Sequence, residues 1–206
     1  ASPAQSAVAS GEPETGVSLM RVVPKMDAGP VCDAASVPIL PEDTGGSICG
    51  KLAHLAAPLI ENNLEALVTG TAHFTEQDDA LATYCRKLTK EDGALDFHAS
   101  ARNLAARIQG LDPWPGAYFT HQGTRIRVRR ARALVEASDA APGTVQGEGS
   151  EGLRIATGGG LLAIGELQRP AAKMLPAADF LRGYPLEEGT LLESQTMPPL
   201  VKPGPG

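Results

Sequence analysis

Between residues 117 and 167 the chain carries five short runs rich in apolar and β-branched residues, with glycine-bearing turns between them, and nothing else in it constrains the fold as much. The runs are 117–120, 124–135, 143–146, 153–157 and 161–167. The turn signals are Gln122-Gly123, the stretch from Glu148 to Gly152, and Gly158-Gly159-Gly160. Short strands at such even spacing bury one face each and need a second layer, so they predict a small barrel or sandwich. Gly158-Gly159-Gly160 could suggest a phosphate loop, but strands rather than a helix flank it, and a hairpin turn is the better reading.

The part before these strands has a different texture. Residues 15–23 (TGVSLMRVV) alternate and read as a strand. Pro24 to Pro30 then force a turn, and residues 31–40 read as a second extended stretch. Glu42-Asp43-Thr44 offers helix caps. Ile48, Leu52, Leu55, Leu59, Ile60, Leu64 and Leu67 follow at helical spacing, which predicts one long helix fraying at Gly70, with a kink or break at Pro58. Residues 71–88 are polar and acidic and read as a linker. A short amphipathic helix is expected from Asp96 or His98 to Gly110, with Leu104 and Ile108 inward, and another over 176–182. Residues 197–206 (MPPLVKPGPG) offer no means of packing and are expected to be disordered.

Composition sharpens the division. The net charge of −6 falls entirely on residues 1–88, with 5 Lys+Arg against 11 Asp+Glu, while residues 89–206 balance 13 against 13. That asymmetry suggests two regions with different tasks. No run of 18 apolar residues exists, so no membrane-spanning helix is expected. Cys32, Cys49 and Cys85 are odd in number and have no C-x-x-C partner. A disulfide framework or a metal site is therefore not expected, and reduced thiols in a cytoplasmic protein fit. The opening Ala-Ser-Pro-Ala-Gln has neither a starting methionine nor the features of a signal peptide, so residue 1 is not expected to be a natural start.

Two features carry chemistry. Asp27 sits between two prolines on a glycine-containing turn after a strand, where a carboxylate can orient and charge a histidine or relay a proton. Aspartates in turns also bond to their own backbone, and on the residues alone that plainer reading is favoured. The second feature is a cationic strand, with Arg125, Arg127, Arg129, Arg130 and Arg132 set around Ile126, Val128 and Ala131. Strand alternation puts Arg125, Arg127 and Arg129 on one face and Ile126 and Val128 toward a core. Such a ribbon suits phosphate contacts or, equally, a solvated face paired with Glu136 and Asp139. Trp114 lies between prolines and reads better as a buried hinge aromatic than as a stacking platform.

Several collinear motifs then decide the expectation. Glu14-Thr15-Gly16-Val17-Ser18-Leu19-Met20 followed by Met26-Asp27-Ala28-Gly29-Pro30 is similar to folate-dependent formyltransferases, and Asp43-Thr44-Gly45-Gly46-Ser47 matches a further segment of that superfamily. The stretch from Tyr84 to Phe97 (YCRKLTKEDGALDF) resembles the Y-A-x-K-L-x-K-E-D-x-x-I-D-W hallmark of methionyl-tRNA formyltransferases. Pro113-Trp114-Pro115-Gly116-Ala117 resembles their P-W-P-G-A segment. The resemblance covers about residues 1–170.

What it implies is an α/β remnant of a Rossmann-like formyltransferase domain over residues 1–70 and a linker over 71–88. A mainly β OB-like barrel that contacts tRNA would occupy 89–197, and a disordered tail 198–206. The implied activity is transfer of a formyl group from 10-formyltetrahydrofolate to the α-amine of initiator methionyl-tRNA, by a cytoplasmic monomer with no metal and no membrane association. Asp27 would be its catalytic carboxylate, Met26, Ala28 and Gly29 a folate loop, and Arg125, Arg127, Arg129 and Arg130 the tRNA contacts. The family's catalytic asparagine and histidine precede an S-L-L-P segment that is not in this sequence. His54, His73, His98 and His121 match no catalytic position, so the chain alone is expected to be inactive. Two alternatives stand beside this reading: a non-catalytic RNA-binding module, and a related formyltransferase acting on a nucleotide sugar.

Overall fold

A computed structural model describes residues 2–203. It opens with a helix absent from the sequence expectation, α1 (Pro3–Ser10), followed by the strands β1 (Glu14–Met20) and β2 (Val31–Pro38). The two strands pair antiparallel with Val17 opposite Ala35, and the long turn between them carries Asp27. Helix α2 (Gly45–Thr69) begins on a reciprocal cap: Thr44 Oγ1 accepts from Ser47 N, and Ser47 Oγ accepts from Thr44 N. It runs unbroken through Pro58 and ends at Gly70 in the left-handed conformation. The break considered at Pro58 does not occur.

Residues 71–88 do more than connect. Thr75 and Val31 exchange both backbone hydrogen bonds, at 2.8 and 2.9 Å, so the segment runs back along the hairpin. After a turn of 3-10 helix at Asp79–Leu81 it forms a short strand, β3 (Thr83–Cys85). A second 3-10 turn at Lys90–Gly93 leads to α3 (Ala101–Gly110), which starts later than expected. Ser100 Oγ caps it by accepting from Asn103 N at 3.2 Å, while Asp96 and His98 pair with each other in the turn before it.

The β-rich half follows the sequence pattern closely: β4 (Ala117–His121), β5 (Thr124–Leu134), β6 (Val145–Gly149), β7 (Gly152–Ala156) and β8 (Leu161–Gln168), then β9 (Leu175–Pro176), α4 (Ala177–Gly183) and β10 (Val201–Pro203). β4-β5-β8-β7-β6 form an antiparallel sheet in that order, with β9 added beside β8. An OB-like barrel is expected for 89–197, but the sheet does not close into one among the described residues. Among the described residues β4 and β6 do not pair with each other, and residues 190–195 lie across the gap. There Val145 N donates to Thr190 O, Leu192 N to Gly143 O, and Gln195 Nε2 to Thr120 Oγ1. The core lies under this sheet, where Phe97, Leu104, Ile108, Phe119, Ile126, Val128, Leu153, Ile155, Leu162 and Ile164 pack with α3 and with Phe180 of α4.

The tail also differs from expectation. β10 pairs antiparallel with β3, Val201 opposite Cys85, and Leu200 is buried beside Leu88, Leu111 and Ala9. Disorder over 198–203 is thus overturned, because a three-residue strand found a distant partner. The remainder of that expectation, 204–206, lies outside the described residues. The first half is held to the second by close backbone approach. A Cβ on Gly110 would overlap the backbone of Ala9 in α1, and one on Gly45 the carbonyl oxygen of Gly110.

Candidate functional site

The Asp27 loop is built from both sides. Asp27 has φ 54°, in the left-handed region that Asp tolerates better than most residues. Gln77 Nε2, from the segment after α2, donates to Asp27 O at 3.0 Å and to Gly29 O at 2.7 Å. Lys25 Nζ meets the Asp79 carboxylate at 2.8 Å, and Arg21 lies over the Phe74 ring at 4.2 Å. Gly29 is buried with no room for a side chain, since a Cβ would overlap Arg21 O. Asp27 itself is exposed, Met26 is 82% exposed, and Ala28 is half-buried. The loop therefore has a fixed backbone and presents the Asp27 carboxylate and the Met26 thioether outward.

On β5 the alternation is as expected up to Arg129, with Ile126 and Val128 buried and Arg125, Arg127 and Arg129 opposite them. Arg130 then leaves the pattern with φ 53°, and Ala131 takes the next core position. This local twist, at a position where the register with β8 is unbroken, leaves the Arg130 Nε 3.1 Å from the Glu166 carboxylate. The other guanidiniums are also engaged. Arg125 lies 3.8 Å over the Tyr118 ring, Arg127 Nη2 donates to Pro113 O at 3.4 Å, and Arg129 Nη2 meets the Asp112 carboxylate at 2.8 Å. Arg132 pairs more loosely with Glu151, at 3.7 Å. Arg125, Arg127 and Arg129 thus share one face and Arg130 turns off it, and Arg129 and Arg130 spend part of their charge on acids within the chain. A polar cavity of about 830 Å³ opens beside Asp112, Arg129 and Arg130, where α2, α3 and β5 meet. No described hydrogen bond or ion pair joins the Asp27 loop to the arginines.

Three features escaped sequence reasoning. Trp114 is 47% exposed rather than a buried hinge aromatic. Gln77, which holds the Asp27 loop, gave no signal beyond its polarity. Third, Asp92 is buried among basic groups. Arg86 bonds both of its oxygens, Thr89 N donates to it at 2.7 Å, and Arg107 Nε and Nη2 donate to its backbone oxygen at 3.2 and 3.1 Å. The Arg86 hydrogen bond holds the Asp92 carboxyl below its usual range against the opposing effect of burial. Burial pushes Arg107 down to about 10, with Asp92 pulling it back up. Of the histidines, His54 Nδ1 lies 2.8 Å from Gly50 O within α2, and His121 Nδ1 2.9 Å from the Tyr184 hydroxyl.

Residues 87–185 match the protein family described as formyl transferase, C-terminal domain. The chain is also 37% identical over 192 residues to a methionyl-tRNA formyltransferase of Moorella thermoacetica, covering 93% of this chain and 62% of that protein. It is 38% identical to one of Roseiflexus castenholzii, covering 93% and 61%. Residues 87–185 belong to the formyl transferase C-terminal domain family, and the chain is similar to these methionyl-tRNA formyltransferases. It spans about 62% of the length of these curated relatives. Among solved structures this chain superposes on HypX from Aquifex aeolicus in complex with tetrahydrofolic acid, with a TM-score of 0.65 at 20% identity over 95% of this chain and 36% of that one. It superposes on WlaRD, a sugar 3N-formyl transferase crystallised with dTDP and 5-N-formyl-THF, with a TM-score of 0.66 at 14% identity over 84% and 61%. At such identities the likeness establishes a shared formyltransferase-like α/β fold with a multi-stranded sheet. The arginine group and Trp114 both fall within the matched C-terminal domain.

Proposed function

We propose that these residues form the C-terminal part of a cytoplasmic, monomeric enzyme that moves the formyl group of 10-formyltetrahydrofolate to the α-amine of initiator methionyl-tRNA. The observation that carries this is the 37% identity, over 93% of the chain, to a protein named methionyl-tRNA formyltransferase. In the reaction the amine nitrogen bonds to the formyl carbon, the bond from that carbon to the folate nitrogen breaks, and a proton leaves the amine. Asp27, exposed on a loop whose backbone is fixed by Gln77, is suited to hold or pass that proton. Met26, Ala28 and Gly29 supply one edge of a donor site, an exposed thioether on a rigid turn, and that is all that these residues contribute to it. Arg125 and Arg127 would meet tRNA phosphates, with Arg129 and Arg130 contributing less because Asp112 and Glu166 partly neutralise them.

A reading as an RNA-binding module without catalysis has one observation in its favour: the main core is drawn wholly from residues 95–197. Transfer to a nucleotide sugar draws support only from fold-level likeness. The test joins the missing N-terminal part of the Moorella thermoacetica enzyme to residues 1–206. The joined protein should formylate charged initiator tRNA. The 206-residue chain alone should not, since removing even one oxyanion-stabilising group costs about 3 kcal/mol of barrier. Turnover by the chain alone would overturn the proposed division of labour. A joined protein that formylates an amino sugar nucleotide but not methionyl-tRNA would overturn the substrate.

A further inference from the structure

Trp114 stands on a loop whose polar groups are occupied from every side. Gly46 N donates to Asp112 O at 3.0 Å, Arg127 Nη2 to Pro113 O at 3.4 Å, Gln5 Nε2 to Trp114 O at 2.6 Å, and Gly116 N to Leu111 O at 2.8 Å. Gly116, at φ 81°, leaves the space that the Arg127 guanidinium fills, and a Cβ there would overlap it. A large aromatic on a loop tied to α1, α2 and β5 yet left 47% exposed contributes little to the core. Its surroundings are cationic. Arg127 crosses the loop, exposed Arg125 lies on the same face of β5, and the Lys90–Gly93 turn packs its Gly93 against Gly116 O. Glu91 is the acid that lies near Arg125.

We propose that Trp114 is a stacking platform for an unpaired base of the bound RNA, with Arg127 and Arg125 receiving the adjoining phosphates. This rests on the RNA-binding reading above and adds a specific contact to it. An exposed ring on a fixed loop, with the Arg127 guanidinium bonded to the same loop, suits single-stranded nucleotides, because every base presents a π-face and the phosphates require only charge.

Trp114 is the sole tryptophan, so its fluorescence reports on the contact directly. The 206-residue chain is titrated with two RNA hairpins that share a stem, one with an unpaired 3′ end and one blunt. The overhanging hairpin should quench the emission and the blunt one should bind without quenching. Trp114→Leu should weaken the overhanging RNA roughly tenfold and leave the blunt one unchanged, with Trp114→Phe recovering most of the loss. Equal quenching by both RNAs would place the ring against a terminal base pair and overturn the proposal. Binding of both RNAs with no quenching, and with the Leu variant unaffected, would overturn it while sparing the arginine contacts. Absence of RNA binding at low salt would remove the RNA reading and this inference together. A dimer abolished by Trp114→Leu, with no response to RNA, would assign the ring to a protein contact.

Discussion

Asp27 holds φ 54°, a conformation open to Asp and Asn at small cost and strained for most other residues. The side chain at this position can therefore be neutralised without disturbing the turn. Asp27→Asn in the joined enzyme described above should leave thermal stability within about 0.5 kcal/mol, as expected of an exposed site. It should lower kcat by orders of magnitude, since a neutral amide cannot support a neighbouring imidazolium or accept a proton. Single-turnover formylation measures this, and near-normal kcat in the Asn variant would return Asp27 to the role of a turn residue. Arg130 makes a complementary point at the same scale. Alternation along β5 assigns side chains to faces only while the strand stays regular, and the left-handed conformation of Arg130 resets the assignment so that Ala131, not Arg130, follows Val128 in pattern. No local signal in the run of arginines marks where that reset falls.

At the level of elements, what was legible had a local cause. The strands β4 to β8 declare themselves through two-residue alternation and glycine turns, and α2 through its spacing and its Thr44 cap. The chain-end strand β10 has neither, for three residues exhibit no period, and its partner β3 lies over a hundred residues away. The same reason hid α1, short and rich in Ala and Ser, whose place is set by contact with α3 across Gly110. Trp114 was misjudged for a related cause: its type and flanking prolines are in the sequence, but what covers it is decided by remote elements. β10 offers a direct test of its own weight. Ending the chain after Met197 would remove buried Leu200, the pairing with β3, and the 3.0 Å hydrogen bond from Arg107 Nη1 to Pro198 O. Loss of the leucine alone removes about 1.5–3 kcal/mol of apolar burial. Urea unfolding should show the shortened chain less stable by at least that amount, and equal stability would mean that the tail rests on the surface without holding it.

Across the whole molecule, the acid Asp92 ties together segments far apart in the chain. Its carboxylate binds Arg86 at the end of the connecting segment, its backbone oxygen binds Arg107 in α3, and Arg107 in turn reaches Pro198 in the tail. Asp92 and Arg107 are buried while Arg86 is 38% exposed, so the charges of the inner pair are screened little, and removing the Asp92 carboxylate strands Arg107 in a poorly hydrated place. Asp92→Asn should therefore cost on the order of 3–5 kcal/mol, far more than loss of an exposed pair such as Lys25 with Asp79. The pH dependence follows from direction alone. The folded-state pKa of Asp92 is lowered, chiefly by the Arg86 hydrogen bond, so its stabilisation is fully present above the unfolded value of about 3.9 and is lost as pH falls through the folded value. Asp43, whose hydrogen bonds from Lys51, Leu40 N and Ser47 outweigh the raising effect of burial, acts in the same sense. Urea unfolding between about pH 7 and pH 3 should show a plateau above about pH 5 and a fall below it. In Asp92→Asn the plateau should sit lower and the fall should be shallower, because one of the responsible protons is gone while that of Asp43 remains. A variant with the same acid slope as the parent would show that Asp92 is not ionised in the folded chain, and the cross-link through Arg86 and Arg107 would then rest on hydrogen bonds rather than on an ion pair.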